Sequence, residues 1–177
     1  MADWVTPELL QTLLNRHGAA LELFASQWTT SPDDCVQDAF IQLVRQTRSP
    51  DCVPAWLFRV VRNRAISMKR SANRRKRHEL AASGSRPAWF TTNRDGLIDA
   101  AALSDALREL SDRHREVIVA KIWGGLSFEQ IAKIVGTSRS SAHRRYEAGL
   151  IILRKRLEPS WLNESNRVKN SVNSSAT

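Results

Sequence analysis

The 177-residue chain lacks the usual materials of an active site. It has two cysteines, Cys35 and Cys52, with no C-x-x-C pair and no histidine beside them, so neither zinc nor a disulfide is expected and both read as small core residues. There is no glycine-rich phosphate loop, no G-x-S-x-G, and no Asp, Glu and His cluster at metal-ligand spacing. No cofactor, metal or catalytic residue is therefore expected, and a nuclease has no motif to rest on. No apolar run approaches the roughly 20 residues that cross a bilayer, and the first residues lack the basic-then-apolar layout of an export signal. The expectation is a cytoplasmic protein without membrane insertion. Acid is scarce too: 27 Lys and Arg face 18 Asp and Glu, for a formal net charge of +9 and a pI near 10.5. That balance calls for a polyanionic partner, nucleic acid ahead of an anionic membrane surface. Strand-like alternation and internal repeats are also missing, which leaves an all-α chain.

What is present centres on Gly124 to Leu157. Ser127 followed by Gln130 is a capping-box signature that starts a helix running to about Val135. Gly136 supplies the positive φ of a sharp turn, and Thr137 or Ser138 can cap the next helix. Small Ala132 lets the two helices approach. The second helix carries Arg139, Ser140, Ser141, His143, Arg144 and Arg145 in its first turns, with Glu147 its one acid there. A helix whose N-terminal half is rich in hydrogen-bond donors suits a DNA major groove. The ordinary alternative is a helical hairpin with a solvated basic face.

Upstream, Thr6, Pro7 and Glu8 form a helix start, with Leu10, Leu13, Leu14, Leu21 and Phe24 carrying the helix to about Trp28. Ser31 and Pro32 repeat the signal before an amphipathic run, Val36, Ala39, Phe40, Leu43 and Val44, whose other face holds Asp33, Asp34, Gln37, Asp38 and Gln42. After a turn at Ser49 to Asp51, Val53 and Pro54 open a third helix striped by Trp56, Leu57, Val60, Val61, Ala65 and Met68. Between Arg59 and Arg77 it has nine basic residues and no acid. Such a run repels itself unless a polyanion neutralises it. Periodicity is lost from about Ala81 to Asp99, where Trp89 and Phe90 interrupt a linker composition. Ala101 to Leu110 and a helix capped by Ser111 lead to the Gly124, Gly125 stop, and the Ser- and Asn-rich segment after Pro159 predicts a disordered tail.

Four stretches carry a resemblance. Asp34 to Phe40 (DCVQDAF) is similar to D-L-V-Q-[ED]-x-F, and Ala55 to Asn63 (AWLFRVVRN) to A-W-L-[YF]-R-I-A-x-N. Leu110 to Val117 (LSDRHREV) resembles L-P-x-x-x-R-E-V, and Gly125 to Ala132 (GLSFEQIA) resembles G-L-S-Y-x-E-I-A. In this order they resemble the sigma-70 family of bacterial transcription initiation factors, in its short extracytoplasmic-function group. The resemblance implies two small helical domains: sigma region 2 over residues 5–80, a flexible linker over 81–100, sigma region 4 over 101–158, and a tail over 159–177. Cys35 stands for a leucine, Ser67 for an aspartate or asparagine, Ser111 for a proline and Ala142 for a valine of the family pattern.

By resemblance, Asp34, Gln37, Asp38 and Gln42 would bind the β′ clamp helices of core RNA polymerase, with the β flap as a further contact. Trp56, Arg59, Arg62, Asn63, Lys69 and Arg70 would hold the melted minus-ten element, Trp56 being equally well a core residue. Arg139, Ser140, Ser141, His143, Arg144 and Arg145 would read the minus-thirty-five element. An anti-sigma factor is a further partner of the kind this group often has. The rival reading is a stand-alone helix-turn-helix regulator of duplex DNA, which leaves the acidic helix and the Arg59 to Arg77 run without a task.

Overall fold

Helix α1 (Pro7–Ala25) starts as its residues dictate: the Thr6 hydroxyl accepts the Leu9 N–H at 3.2 Å, and Pro7 occupies the first turn where no amide is needed. The structure is a computed structural model that describes residues 4–78 and 100–173, with side-chain surroundings for 4–75 and 103–157. The α-helix stops at Ala25, three residues before the expected Trp28, and a turn closed by Trp28 N–H to Ala25 C=O continues the chain. Helix α2 (Pro32–Val44) follows, but the Ser31 side chain makes no cap. Its amide instead donates to the Thr29 hydroxyl at 3.1 Å, so a turn upstream sets the entry.

Helix α3 (Val53–His78) packs on α1 and α2. Leu21, Phe24, Leu43, Leu57, Phe58, Val61 and Ala65 are fully buried between the three. Phe24 meets Phe58 edge-on at 5.1 Å and Trp28 at 5.3 Å. Cys35 is fully buried with its Sγ 3.4 Å from Met68 Sδ.

The second unit comprises α4 (Ala100–Glu109), α5 (Asp112–Ile122), α6 (Phe128–Val135) and α7 (Arg139–Asn173). Arg115, 7% exposed, ties it together: it donates to the carbonyls of Leu107 (2.6 Å), Arg108 (2.7 Å) and Leu110 (2.5 Å) at the end of α4, where the helix runs out of amide donors and Leu107 keeps only a 3.3 Å bond from the Leu110 amide. Arg115→Ala is expected to cost about 3 kcal/mol in urea unfolding, because buried acceptors lose charged donors. Arg115→Lys should recover only part of that, since one ammonium cannot reproduce the guanidinium fork.

The two units pack on each other. α1 packs on α5 and α3 on α6, and one apolar core runs from Leu13, Phe24 and Phe58 through Val117 and Val119 to Ile131 and Ala142. Gly124 permits the approach: a Cβ there would lie 2.7 Å from Phe58 Cζ and 2.6 Å from the Ala120 carbonyl. The linker with Trp89 and Phe90 lies outside the described residues. In the segment after Pro159, α7 continues as far as Asn173. Extending an existing helix avoids the nucleation cost, and a proline removes one amide donor without unwinding every turn beyond it.

His17 of α1 is buried at 9% exposure, and its Nδ1 has no hydrogen-bond partner among the described residues. Burial and then the charge of Arg16 hold its pKa below the ordinary 6.5. The unfolded chain therefore takes up the proton first. Stability from neutral His17 is complete above about 6.5 and is lost as pH falls through the lower folded-state value. The urea midpoint is expected to drop between about pH 7 and pH 5, and His17→Gln should flatten that slope.

Candidate nucleic-acid interface

The helix-turn-helix forms as its residues require. The Ser127 hydroxyl accepts the Gln130 amide at 3.2 Å while the Gln130 side chain accepts the Ser127 amide at 2.8 Å, a complete capping box. Gly136 turns the chain with φ 70°, a conformation that L side chains rarely adopt. Ser138, one of the two expected caps, accepts the Ser141 amide at 3.1 Å and starts α7. Ala132 and Ala142 are buried where α6 and α7 cross, and Phe128 meets Tyr146 and the His143 ring edge-on.

On α7, Arg139, Ser140, His143 and Arg144 are exposed. Arg144 donates to Ser141 Oγ at 3.2 Å, and His143 faces Glu147 one turn on at 3.4 Å. Arg145 departs from this set. It is half-buried and lines a cleft of about 400 Å³ between the two units, together with Trp28, Arg62, Asp112, Arg113 and Glu116. Four of the six predicted positions thus share an exposed stretch, Ser141 is half-buried beside them in contact with Arg144, and Arg145 lines the cleft instead.

The basic helix α3 is likewise divided. Arg59, Asn63 and Arg70 are exposed, and Trp56 is half-buried against the core. Arg62 donates through Nε to Glu116 Oε2 at 2.9 Å and lies 5.8 Å from the Trp28 ring centre. Lys69 Nζ is 3.2 Å from Asp112 Oδ2. Both acids belong to α5, in the other unit. Glu116 is only 4% exposed. Burial pushes its carboxyl up, opposed by the hydrogen bond and charge of Arg62 and by the charge of Arg145. Sequence reasoning missed Glu116 and Asp112; a basic run without acids hinted at a polyanion, and part of that need is met inside the chain.

The acidic face of α2 stands in solvent. Asp34, Gln37 and Gln42 are exposed, and Asp38, half-exposed, pairs with Arg64 at 2.7 Å. Beside it, a groove of about 660 Å³ between α1 and α2 has Leu10, Leu14, Phe40 and Ile41 among its lining, with Glu22, Asp33 and Gln37 adding polar groups. Burial and Asp33 push the Glu22 carboxyl up.

The description "Sigma-70 region 2" matches residues 13–75, and "Sigma-70, region 4" matches residues 100–151, one on each unit and in the family's order. The chain belongs to the sigma-70 family. Within it, this sigma factor is similar to the ECF RNA polymerase sigma factor SigL of Mycobacterium tuberculosis strain H37Rv, 29% identical over 161 residues, covering 85% of this chain and 89% of that one. It is also similar to the RNA polymerase sigma factor SigV of Bacillus subtilis strain 168, 23% identical over 163 residues, covering 86% and 93%. Its fold is that of the sigma factor RpoE in a complex with the anti-sigma factor NepR from Bartonella quintana, with a TM-score of 0.72, 24% identity and 86% and 98% of the chains covered. CnrH in complex with the cytosolic domain of CnrY is similar at a TM-score of 0.55 and 24% identity, covering 87% and 90%. These place it in the extracytoplasmic-function group, as a sigma factor that directs RNA polymerase to promoters. The stand-alone regulator is not favoured. Among the described residues no helix is long and apolar enough to cross a membrane.

Proposed function

We propose that this sigma factor divides its task among three helix faces. The outer face of α2, with Asp34, Gln37, Asp38 and Gln42, docks on the β′ clamp helices of core polymerase. Helix α3 holds the melted minus-ten strand through Arg59, Arg62, Lys69 and Arg70 on phosphates, with Asn63 beside an unstacked base and Trp56 at the point of strand separation. Stacking contributes roughly 1–3 kcal/mol per captured base while unstacking costs a few, so melting needs polymerase to hold the strands as well. The N-terminal turns of α7 read the minus-thirty-five element, and the second unit also meets the β flap.

The observation that carries this reading is the segregation of charge: exposed acid on α2, exposed base on α3 and on the start of α7. A protein that only bound DNA would gain nothing from the acidic face. The chain carries no catalytic step of its own and works in the cytoplasm beside polymerase. That RpoE is held by the anti-sigma factor NepR supports an inhibitory partner here too, and the α1–α2 groove offers an apolar seat for a helix of it.

The test is reconstitution. Start sites mapped after overexpression supply a cognate promoter, and purified chain with core polymerase should then give run-off transcripts from it. Failure to bind core polymerase ends the reading.

A further inference from the structure

Ser138, Ser141 and Arg144 lie three residues apart where α7 begins, so the helix brings them to one face. There they form a chain. The Ser141 amide donates to Ser138 Oγ at 3.1 Å, the Ser138 hydroxyl donates to Ser141 Oγ at 2.9 Å, and Arg144 Nη2 donates to that same Ser141 Oγ at 3.2 Å. Two donors take up both lone pairs of the Ser141 hydroxyl, which cannot then accept from the amino group of an adenine or cytosine. Arg144 commits one of its five N–H groups and keeps the pair that guanine N7 and O6 require. Ser141 is half-buried and Arg144 exposed, so the chain runs from the helix cap outward to a guanidinium in solvent. Among the described residues the exposed Arg139 and Ser140 side chains have no such bond.

We propose that Ser141, itself fixed by Ser138, is a positioning residue for Arg144: its hydroxyl holds the guanidinium ready for a guanine and so sets base choice at one position of the minus-thirty-five element without touching a base. The proposal rests on the reading that the start of α7 enters the minus-thirty-five groove, and it moves Ser141 from the side chains that read bases to one that aims a reader. A long arginine side chain loses rotamer freedom when it meets a base edge, and bracing it beforehand removes part of that cost. A brace also selects. A free guanidinium that finds no acceptor on a base swings to a phosphate, whereas a held one loses its contact.

The experiment uses the full chain bound to core polymerase and a fluorescein-labelled duplex carrying the minus-thirty-five region of a promoter found by start-site mapping, followed by anisotropy at fixed salt. Each guanine is replaced in turn by 7-deazaguanine, which lacks the N7 acceptor. The Arg144 contact is the position where that replacement weakens native binding by at least about 5-fold and leaves binding of Arg144→Ala as it was. Ser141→Ala should weaken binding to the unmodified duplex by about 3-fold to 10-fold, the cost of ordering one long side chain at the interface. It should also cut the 7-deazaguanine penalty at that position to about 2-fold, because the unbraced guanidinium reaches a phosphate instead. Ser141→Thr keeps the hydroxyl and should restore both values.

A double-mutant cycle separates aiming from direct contact. In the Arg144→Ala background, Ser141→Ala should add less than about 1.5-fold, whereas Ser140→Ala, with no bond to Arg144, should cost the same with or without that arginine. Alanine is the better helix former and Ser138 remains to cap α7, so the Ser141→Ala chain keeps its fold. Native affinity in Ser141→Ala, a Ser141→Ala loss that persists in full without Arg144, equal coupling of Ser140 to Arg144, or no recovery with threonine would each overturn the proposal. So would an Arg144→Ala loss to which no guanine position answers. The reading beneath it fails differently: Arg144→Ala would then leave duplex binding unchanged, and the proposal would fall with it.

Discussion

Replacing Arg139 and Arg144 together by alanine is expected to weaken binding to a cognate minus-thirty-five duplex by roughly 30-fold to 10⁴-fold, at about 1–3 kcal/mol for each base-contacting arginine. Both side chains are exposed at the start of α7, where the helix N-terminus itself favours phosphate. Arg144 is already braced by Ser141 at 3.2 Å, so less freedom is lost when it meets a base edge. Arg154→Ala, exposed several turns along the same helix, removes equal charge and should cost far less. Arg145→Ala should fall between them, because that side chain faces the cleft. Electrophoretic shift or anisotropy with the duplex measures all three, and core polymerase binding should not change.

The second large effect concerns the opposite charge. Asp34→Lys with Gln37→Lys turns an acidic stripe basic without touching the core, since both positions are exposed. Like charges set against each other across an interface cost several kcal/mol, so affinity for core polymerase should fall at least about 100-fold in a fluorescence titration. DNA binding should hold or improve. Asp38→Asn is expected to do less than Asp34→Lys, because the Asp38 carboxylate already shares its charge with Arg64 at 2.7 Å.

Local chemistry was legible from residues alone. The Thr6 cap, the Ser127–Gln130 box and the Gly136 turn involve groups within a few positions of each other, and each forms as expected. The helical stripes of α1 to α3 likewise mapped onto the core, apart from Leu14 and Val44, which line the α1–α2 groove, because a 3.6-residue period reports the inward face. Long-range docking left no such trace. Arg62 and Glu116 are 54 residues apart, and nothing in the periodicity of either helix says that their polar edges meet. The same gap hid the inward turn of Arg145 and the packing of the two units on each other. Ser31 and Pro32 mark the start of α2 as read, though with φ of −121° and ψ of 70° at Ser31 its hydroxyl makes no cap bond.

The separation of surfaces is tested most directly by residue-selective labelling of the chain in two complexes. Carboxylate-selective labelling should show Asp33 and Asp34 shielded by core polymerase alone, with no change when minus-thirty-five duplex is added without polymerase. Arginine-selective labelling should show Arg139 and Arg144 shielded by the duplex and open in the complex with core polymerase. Shielding of the α2 acids by DNA, or their continued labelling when core polymerase is bound, would contradict the account.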